Sequence, residues 1–521
     1  MFAVDFSHTP RTSYFDYAPE RFVLHSHGIV EGENHIPHAI SAISGSGQSV
    51  SLRTWESTTG SLRVTLSDYR VARAVFRAIP RGMGCTLKIG FAGWAFTDWE
   101  IVGSYQFRNV SGARNNWQME FGDFFSSLQS KIGTATYVPL FSQAGNSTTT
   151  NGNWSVGDTT MTVDDASGFK DSDGALLDRD TRGGGYTPYG LIRCSPSSGD
   201  PFYLKFTGIN GAGTQITGVL AANVLDTTRV DLADENTIEL MGYISDEPRK
   251  VIEKVLFNNS SIGTVPDAWN MGLFYDENTI NRDDWLRSWG RFNRTTGSDY
   301  HTDMLSPKPV DDSYAFMRSY FARHGIWLVY KEGGLSMRYA DDPTDLTFRS
   351  SDAAAEITDV SIVSVENFQG WHPDARYEAY AYRPLSMDHG FYIEDITGGD
   401  VSSRQVASLP AIVDENAELT DHIFGTSNRS TAQGNIAARL KYWYLRVPCS
   451  LSLNLRGWAY ASLVPGDWVR ITSDMIPDFY STASPTLDDS VYMVLAVDVD
   501  WAGFTTSIEV TRVSPRAIFA I

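Results

Sequence analysis

Four histidines near the start of the sequence have the spacing of a transition-metal site. His25 and His27 are two residues apart, and His35 and His38 form a second pair shortly afterwards. Side chains two apart on a strand face the same way, and imidazole is a common ligand of zinc, copper and nickel. The stretch is rich in glycine, however, and no carboxylate stands at a fixed spacing to complete the site. The sequence therefore favours no bound metal, and elemental analysis of the purified chain tests this.

A run of aspartates later in the sequence offers hard oxygen ligands of the kind that calcium prefers. It contains Asp171, Asp173, Asp178 and Asp180, with Gly174 inside it. An EF-hand loop needs a glutamate at its closing position, and none stands there. We interpret the run as an acidic surface loop rather than a calcium site.

Motifs for phosphate binding and nucleophilic catalysis are missing from the sequence. The stretch 182–185, Arg-Gly-Gly-Gly, is interpreted as a turn because neither GxGxxG nor a P-loop Gly-Lys pair occurs. The sequence also has no GxSxG, no HExxH and no reactive-cysteine context, which mark serine, zinc and thiol hydrolases. It therefore predicts no catalytic and no cofactor-binding residues, and we expect that the chain is not an enzyme.

Adjacent carboxylates supply the residue types, but not the spacing, for acid–base cleavage of glycosides. Glycosidases hold two carboxyl groups about 5 to 9 Å apart across one cleft, whereas sequence neighbours favour helix caps and solvated turns. Trp285 and Trp289, four residues apart, could stack on sugars, but on a helix such residues are more often in a core or interface. The carboxylate pairs are Asp246 and Glu247, Asp276 and Glu277, and Asp283 and Asp284.

The composition indicates a folded chain of several domains. Of its 521 residues, 42% are hydrophobic and 20% are charged, which is close to globular averages. This length suits about three to four domains. The formal net charge of −20 opposes binding to nucleic acid, because phosphate contacts need Lys and Arg to displace counterions. The charge balance therefore disfavours a protein that reads DNA.

Three scattered cysteines, Cys85, Cys194 and Cys449, form no CxxC pair. An odd, dispersed set supports neither a disulfide framework nor a thiolate metal site, and it fits assembly in a reducing cytosol. The first residues lack the basic and apolar regions of a secretory signal, and the longest apolar run, 491–497, is too short to span a bilayer. We expect no stable membrane insertion.

The elements that must position these residues begin with a β-rich segment, which we assign to residues 1–136. Val71, Val75 and Ile79, at four-residue spacing before Pro80, predict a short helix lying on a half-buried antiparallel sheet, and a second short helix is predicted at 123–128. The strands of this segment are predicted at 49–55, 62–66, 85–89, 100–108 and 117–121.

The centre of the chain divides into two further segments. Small and polar residues dominate 137–240, where short strands between glycine turns predict an inserted small all-β module. Residues 241–345 are α+β: one helix follows Asp246, Glu247 and Pro248, and a second, over 311–324, stops at Gly325 before a hairpin at 326–339.

Residues 346–521 form the last segment. A strand-like run covers 357–366, a helix is predicted at 431–445, and strands are predicted at 450–455, 491–499 and 506–513. Pro465-Gly466 is a turn pair within the run from Val464 to Val469. The fold class is therefore mainly β with an α+β middle region, in several domains.

In these segments the chain resembles the tail hub proteins of bacteriophages, which are also called baseplate hub or tail tip hub proteins. Residues 107–108, 117–121 and 123–128 resemble the hub's opening tube-like β-barrel. The middle helix and the hairpin at 327–339 resemble its central domain, and 463–469 with the strand from 491 resemble its last barrel. The insertion at 137–240 departs from the minimal hub. The three cysteines cannot supply the four-cysteine iron–sulfur site of some hub-like proteins, and no lysozyme-like segment is present.

The resemblance implies a structural virion protein at the distal end of the viral tail, assembled in the host cytoplasm. It implies a homotrimeric ring whose subunits each contribute two tail-tube-like β-barrels, with a tail tube or distal tail protein and the tail tip or fibre proteins as partners. DNA would pass through the lumen without specific binding. An acidic lumen would repel DNA within a Debye length of about 8 Å, and an electropositive channel wall would refute this hypothesis.

The alternative that the sequence leaves open is a tail-tip adhesin or depolymerase that binds host surface glycan. In that hypothesis the module at 137–240 is the displayed part. Release of sugar or peptidoglycan fragments by the isolated chain favours it, whereas three copies coaxial with the tube favour the hub.

Overall fold

Strands dominate the computed structural model of the protein. It describes residues 1–6, 23–28, 35–51, 57–125, 147–169, 190–221, 229–256, 280–296, 302–306, 313–340, 353–370, 381–384, 391–394, 423–426, 448–478 and 484–513, apart from a few positions inside these ranges. Most described residues lie in β-sheets, so the mainly β fold class is confirmed. Of the helices that the structure describes, none combines the length and the apolar character that a membrane span requires.

The N-terminal part of the chain supplies strands β1 to β10 and helix α1 (Tyr69–Ala78). The carboxylate of Asp68 caps α1 by accepting from the backbone N–H groups of Arg70 and Val71, and the helix buries Ala72 and Val75. The strands are β1 (Phe2–Asp5), β2 (Val23–His25), β3 (His35–Ile36), β4 (Ile40–Ser44), β5 (Gln48–Val50), β6 (Ser57–Thr59), β7 (Arg63–Leu66), β8 (Gly84–Ile89), β9 (Glu100–Ala113) and β10 (Asn116–Asp123).

Eight of these strands form one sheet in the order β3-β2-β1-β8-β9-β10-β7-β4, and because a short bend connects its two end strands we call this sheet the N-terminal barrel. The two end strands, β3 and β4, are joined by residues 37–39 alone, which we call the first closing bend. Ala39 links the two ends, because its N–H donates to the carbonyl of His25 at 2.8 Å and its carbonyl accepts from the N–H of Ser67 at 2.9 Å. β3 runs parallel to β2, while β4 runs antiparallel to β7.

The predicted inserted β module is present as two small sheets over one core. A five-stranded sheet has the order β11-β18-β13-β14-β17, and a three-stranded sheet has the order β12-β16-β15. All core residues of this module, from Trp154 to Leu240, come from the module itself. Its strands are β11 (Ser147–Thr149), β12 (Thr160–Thr162), β13 (Gly190–Ser195), β14 (Phe202–Phe206), β15 (Gly208–Ile209), β16 (Gln215–Thr217), β17 (Leu220–Ala221) and β18 (Thr237–Leu240).

The middle region is α+β, as predicted. Gly325, with φ of +64°, separates the second predicted helix from a hairpin. Asp246 lies in a strand rather than in a helical first turn, because it pairs with Thr302 of a strand that sequence periodicity did not reveal. The elements are β19 (Gly242–Asp246), α2 (Arg282–Thr296), β20 (Thr302–Ser306), α3 (Ser313–Ala322), β21 (Ile326–Lys331) and β22 (Gly334–Tyr339).

The C-terminal part contributes strands β23 to β31. Six of them form a C-terminal barrel in the order β23-β29-β30-β31-β28-β24, while β25 pairs with β26 and β27 pairs with β20. The strands are β23 (Ala355–Thr358), β24 (Ile362–Gly370), β25 (Ala381–Pro384), β26 (Phe391–Glu394), β27 (Ile423–Thr426), β28 (Pro448–Arg456), β29 (Trp468–Pro477), β30 (Thr486–Asp500) and β31 (Thr505–Val513).

In the C-terminal barrel too, the two end strands of the sheet are consecutive in the chain. Its end strands, β23 and β24, are joined by residues 359–361 alone, which we call the second closing bend. Ser361 donates its N–H to the carbonyl of Thr358 at 2.8 Å and accepts from the N–H of Arg456 at 2.8 Å. β23 is parallel to β29 and β24 is antiparallel to β28, so the strand-like run predicted at 357–366 is bent into two arms.

The two barrels share strands and core residues. The strand predicted at 49–55 was expected in the N-terminal sheet, but β5 pairs with β30 of the C-terminal barrel, with Ser49 opposite Ala496, and with β6. Alternating polarity identifies a strand without specifying its partner, which is why the expectation was wrong. In return, four residues of the C-terminal part enter the hydrophobic core of the N-terminal barrel: Trp458, Ala461, Val499 and Trp501.

The other predicted elements of the two barrels are largely found. α1 and the β9–β10 hairpin lie where the sequence predicts them, and the long strands β30 and β31 cover the predicted runs near the end of the chain. The predicted helix at 431–445 and most of the predicted helix at 123–128 lie outside the described residues.

Candidate functional site at the junction of the barrels

The turn at 464–467, the clearest motif in the sequence, lies against the hairpin β21–β22. Gly466 has φ of +96°, and a Cβ atom there would be 2.6 Å from both Arg338 Cβ and Trp327 Cζ2. Glycine is therefore required both by the backbone conformation and by the close approach. The indole N–H of Trp327 donates to the carbonyl of Pro465 at 3.0 Å, which fixes the turn to the hairpin.

Behind this turn lies a buried arginine that binds an aspartate of the C-terminal barrel. Every residue of β22 is buried, including Arg338. Its Nε and Nη2 donate to Asp467 Oδ1 at 3.0 and 2.9 Å. The other carboxylate oxygen of Asp467 accepts from Lys331 Nζ at 2.8 Å and from the backbone N–H of Val464 at 3.2 Å. Asp467 thus joins both hairpin strands to the turn.

The remaining guanidinium nitrogen of Arg338 reaches helix α2. Nη1 donates to Asp284 Oδ2 at 2.6 Å, and the same oxygen accepts from the hydroxyl of Ser336. Asp284 Oδ1 accepts from Arg287 Nη2 at 2.5 Å. Asp283, by contrast, is exposed. The adjacent pair Asp283 and Asp284 is therefore split between solvent and a buried ion pair, and the two carboxylates do not face one cleft.

Asp284, Lys331, Arg338 and Asp467, which we call the ionic junction, contain two cations and two anions. Burial raises the pKa of both Asp284 and Asp467, whereas Arg338 lowers both. Ser336 and Arg287 lower the pKa of Asp284 further, and Lys331 lowers that of Asp467 further. Together these partners outweigh burial, so both pKa values lie below their usual range. Burial lowers the pKa of Arg338, and the two carboxylates more than reverse this, so its pKa is raised. Asp284, Asp467 and Arg338 therefore remain charged at neutral pH, and a low-pKa carboxylate is a poor general base. The arrangement is suited to holding elements together.

The same hairpin also bonds to the strand that the N-terminal segment lends to the C-terminal barrel. The side-chain amide of Gln48 donates to the carbonyl of Tyr330 at 3.1 Å and accepts from the N–H of Tyr330 at 3.2 Å, as a neighbouring strand would. The Tyr330 hydroxyl donates to the hydroxyl of Ser104 on β9. Burial raises the pKa of Tyr330. The hairpin β21–β22 therefore contacts both barrels.

The two tryptophans singled out in the sequence lie inside the protein. Trp285 is fully buried, and its indole N–H donates to Glu253 Oε1 at 2.9 Å. Glu253 also accepts from Arg249 Nη1 at 2.7 Å, and Trp289 is buried on the same helix. Neither indole ring is positioned on the surface to stack on a sugar.

The histidine cluster is brought together by the N-terminal barrel. His25 Nε2 and His35 Nδ1 are 2.9 Å apart, and the rings of His25 and His27 contact each other with centroids 5.1 Å apart. The ring of His27 stacks on Trp99, and His38 lies in the first closing bend. Within the ranges that the structure describes, no group of three or more His, Cys, Asp or Glu side chains is arranged to hold a metal ion.

All three cysteines are buried free thiols. Burial raises the pKa of Cys85, with a further contribution from Asp5, and burial also raises the pKa of Cys194. The pKa of Cys449 is raised to about 11, mainly by burial. Since the thiolate is the nucleophilic form of cysteine, these groups are poorly suited to covalent chemistry.

The remaining sequence candidates cannot be located. The aspartate run at 171–180, the turn at 182–185, the pair Asp276 and Glu277, and Glu247 all lie outside the described residues. Sequence reasoning identified Asp467 and Asp284 without their role, and it missed Arg338, Lys331 and Gln48. A charged residue inside an otherwise apolar strand was the available signal for Arg338, because a buried charge needs a partner.

The sequence matches no protein-family model and no curated protein. Among solved structures, the chain is similar to the 43 kDa tail protein of prophage MuSo2 from Shewanella oneidensis, with 10% identity, a TM-score of 0.31, and coverage of 90% of this chain and 94% of that chain. It is also similar to a chain in the virion of a native gene transfer agent particle, with 10% identity and a TM-score of 0.17. That likeness covers 46% of this chain and 78% of the other chain. At these values neither likeness decides the fold or the function of this chain.

Proposed function

We propose that the chain is a structural protein of a bacteriophage virion and forms the trimeric hub at the distal end of the tail. The observation that carries this proposal is the pair of barrels, each closed by a bend between one parallel and one antiparallel strand, and both held by one hairpin. Three such subunits offer six similar barrels around an axis, which is what the resemblance to hub proteins implies for a hexameric tube.

Rigidity of the two-barrel unit supports this role. A subunit that joins a tube to a tip must keep its two barrels in a fixed relation. The strand β5 inserted at β30, the four shared core residues and the buried charges of the ionic junction would all have to be disrupted for one barrel to move against the other. Breaking a buried ion pair costs about 3 to 5 kcal/mol, so this junction opposes such motion.

In the proposed ring, DNA passes through the central channel during ejection and is not specifically bound. The net charge of −20 supports this, because like charges repel across a Debye length of about 8 Å at physiological salt. The partners on the two sides of the ring are a tail tube or distal tail protein and the proteins of the tail tip, baseplate or fibres.

We propose no catalytic role. Among the described residues that could have served in catalysis or sugar binding, Asp284 is held as an ion-paired carboxylate and Trp285 is buried. The pKa values of the three thiols are raised. These features favour a structural part over the adhesin or depolymerase alternative.

The mass of the purified full-length chain tests the proposal. Light scattering coupled to size-exclusion chromatography should give three times the chain mass of 57.8 kDa, and imaging of tail particles should place three copies around the tube axis. A monomer at all concentrations up to tens of micromolar, or a position off the axis, contradicts the hub. Release of reducing sugars or peptidoglycan fragments from host envelopes favours the alternative instead.

The inserted module has a separate proposed role in docking fibres or other tip proteins. Its own complete core supports this, because a self-contained module can be added without disturbing the barrels. Particles assembled with a chain lacking 137–240 should keep their tails and lose fibres. Normal fibre attachment in such particles rules out this role.

A further inference from the structure

Helix α1 buries one side on the N-terminal barrel and exposes aromatic rings on the other. Phe76 is 73% exposed and Tyr69 is 56% exposed. Arg70, Arg73 and Arg77 on the same helix are exposed as well. Tyr69, Arg73 and Phe76 recur at the spacing that places side chains along one stripe of a helix. These five residues form what we call the α1 face.

The α1 face is basic on an acidic protein. The helix contains three exposed arginines and no acidic residue, whereas the chain as a whole has a net charge of −20. In the described part of the chain, none of these guanidinium groups forms an ion pair. Tyr, Phe and Arg are the residues enriched where proteins bind each other, and a bare aromatic and basic stripe therefore has the composition of an interface.

A second exposed patch carries two aspartates and lies on the C-terminal barrel, next to the exposed Arg456 whose backbone N–H bonds to the second closing bend. Val360 is 80% exposed at the second closing bend, and Met475 and Val363 are 60% and 52% exposed. The backbone N–H of Asp474 donates to Asp359 Oδ2 at 3.0 Å, so the residues around 360 and 475 are adjacent. Asp359, Val360, Val363, Asp474 and Met475 together form what we call the closing-bend surface.

We infer that the α1 face of one copy binds the closing-bend surface of a second copy. The two surfaces pair apolar side chains with charges of opposite sign, which favours their contact and disfavours contact between two identical faces. One lies on the N-terminal barrel and the other on the C-terminal barrel, so each subunit offers one of each. Such a heterologous contact repeats head to tail, and it closes into a ring when the rotation that it sets between neighbouring copies completes a full turn after a whole number of them. The inference rests on the proposed trimer for the number of copies.

Charge reversal on both sides of the contact tests the inference in the full-length chain. Arg73→Glu/Arg77→Glu should weaken self-association by about tenfold or more, because it places acidic residues against acidic ones. Arg63→Glu/Arg108→Glu makes the same change in net charge at exposed positions of β7 and β9, and it should leave the mass in solution unchanged. Adding Asp359→Lys/Asp474→Lys to the α1 variant should restore association.

The readout is sedimentation velocity from 1 to about 50 μM, with unfolding midpoints measured for every variant. The inference is overturned if Arg73→Glu/Arg77→Glu associates like the unmodified chain while folding normally, or if the four-residue charge swap folds but stays dissociated. In either case, if the unmodified chain is a trimer, the proposed hub function is not contradicted. An unmodified chain that is monomeric throughout overturns both.

Discussion

At the scale of single residues, Gly466 is the position with the least freedom to change. Gly466→Ala places a Cβ atom 2.6 Å from Arg338 and Trp327 on a backbone with φ of +96°. Gly457→Ala is the matched control in the same barrel, because Gly457 has φ of +79° and its nearest atom would be 3.5 Å away, in Phe504. We expect Gly466→Ala to lower the free energy of unfolding by about 1 to 3 kcal/mol more than the control. Urea denaturation measures both, and equal losses contradict the packing argument.

Arg338 is the residue on which the ionic junction depends. Arg338→Met removes the cation shared by Asp284 and Asp467 and leaves both carboxylates buried. We expect a loss of about 3 to 5 kcal/mol in the free energy of unfolding. Arg287 also pairs with Asp284, but the Arg287 side chain is 61% exposed. Arg287→Ala should therefore lower the free energy of unfolding by about 1 kcal/mol or less. Losses of equal size from the two substitutions, again by urea denaturation, contradict a buried junction.

The pH dependence of stability should differ in sign between the unmodified chain and Arg338→Met. In the unmodified chain the pKa values of Asp284 and Asp467 are lowered, so their contribution is complete above the unfolded pKa of about 3.9 and is lost as pH falls below it. Without Arg338, burial is still opposed by Lys331 at Asp467 and by Ser336 and Arg287 at Asp284, but no longer by the guanidinium. Both pKa values therefore rise from their values in the unmodified chain, and acid then relieves the buried charge. The stability deficit of Arg338→Met should therefore shrink between pH 7 and about pH 4. A difference in free energy of unfolding that stays constant with pH contradicts this explanation of the role of Arg338.

At the scale of elements, the Gln48 side chain acts as a short extra strand beside β21. Gln48→Ala leaves the backbone N–H and carbonyl of Tyr330 without this partner, at a cost of about 1 to 3 kcal/mol. Ser49→Ala on the same strand removes only an exposed hydroxyl bonded to Thr58, and it should be nearly neutral. Hydrogen exchange followed by mass spectrometry should show faster exchange at Tyr330 in the first variant alone. Unchanged protection of the Tyr330 amide argues against a role of Gln48 in holding β21.

How well elements could be predicted from the sequence depends on how local their signals are. The helix α1, the hairpin β21–β22 and the turn at Gly466 each carry their own periodicity or turn residues, so they could be predicted. The closing bends could not, because 359–361 lies within a run of strand-like residues and only the positions of β28 and β29 reveal the bend. The partner of β5 and the charge partners of Arg338 are set by residues far along the chain, which no local pattern specifies.

At the scale of the whole molecule, the inserted module should be separable from the barrels. Its core draws only on residues from 154 to 240, and β10 and β19 flank it on either side. We expect a fragment spanning 144–241 to unfold cooperatively on its own, and the chain lacking 137–240 to keep the association state of the full-length protein. Calorimetry of the fragment and light scattering of the deletion variant check the two halves of this expectation. A fragment without a thermal transition contradicts the first half.

The pairing of Ser49 with Ala496 also has a consequence for how the molecule is made. The strand β5 joins a sheet whose other long strands are encoded hundreds of residues later, so the hairpin β5–β6 must wait until that later part of the chain has been synthesised. Synthesis of β30 then becomes the step that completes this part of the C-terminal barrel. A nascent chain that stops before β30 cannot form this pairing, so its hairpin β5–β6 lacks the strand that would hold it in the C-terminal barrel.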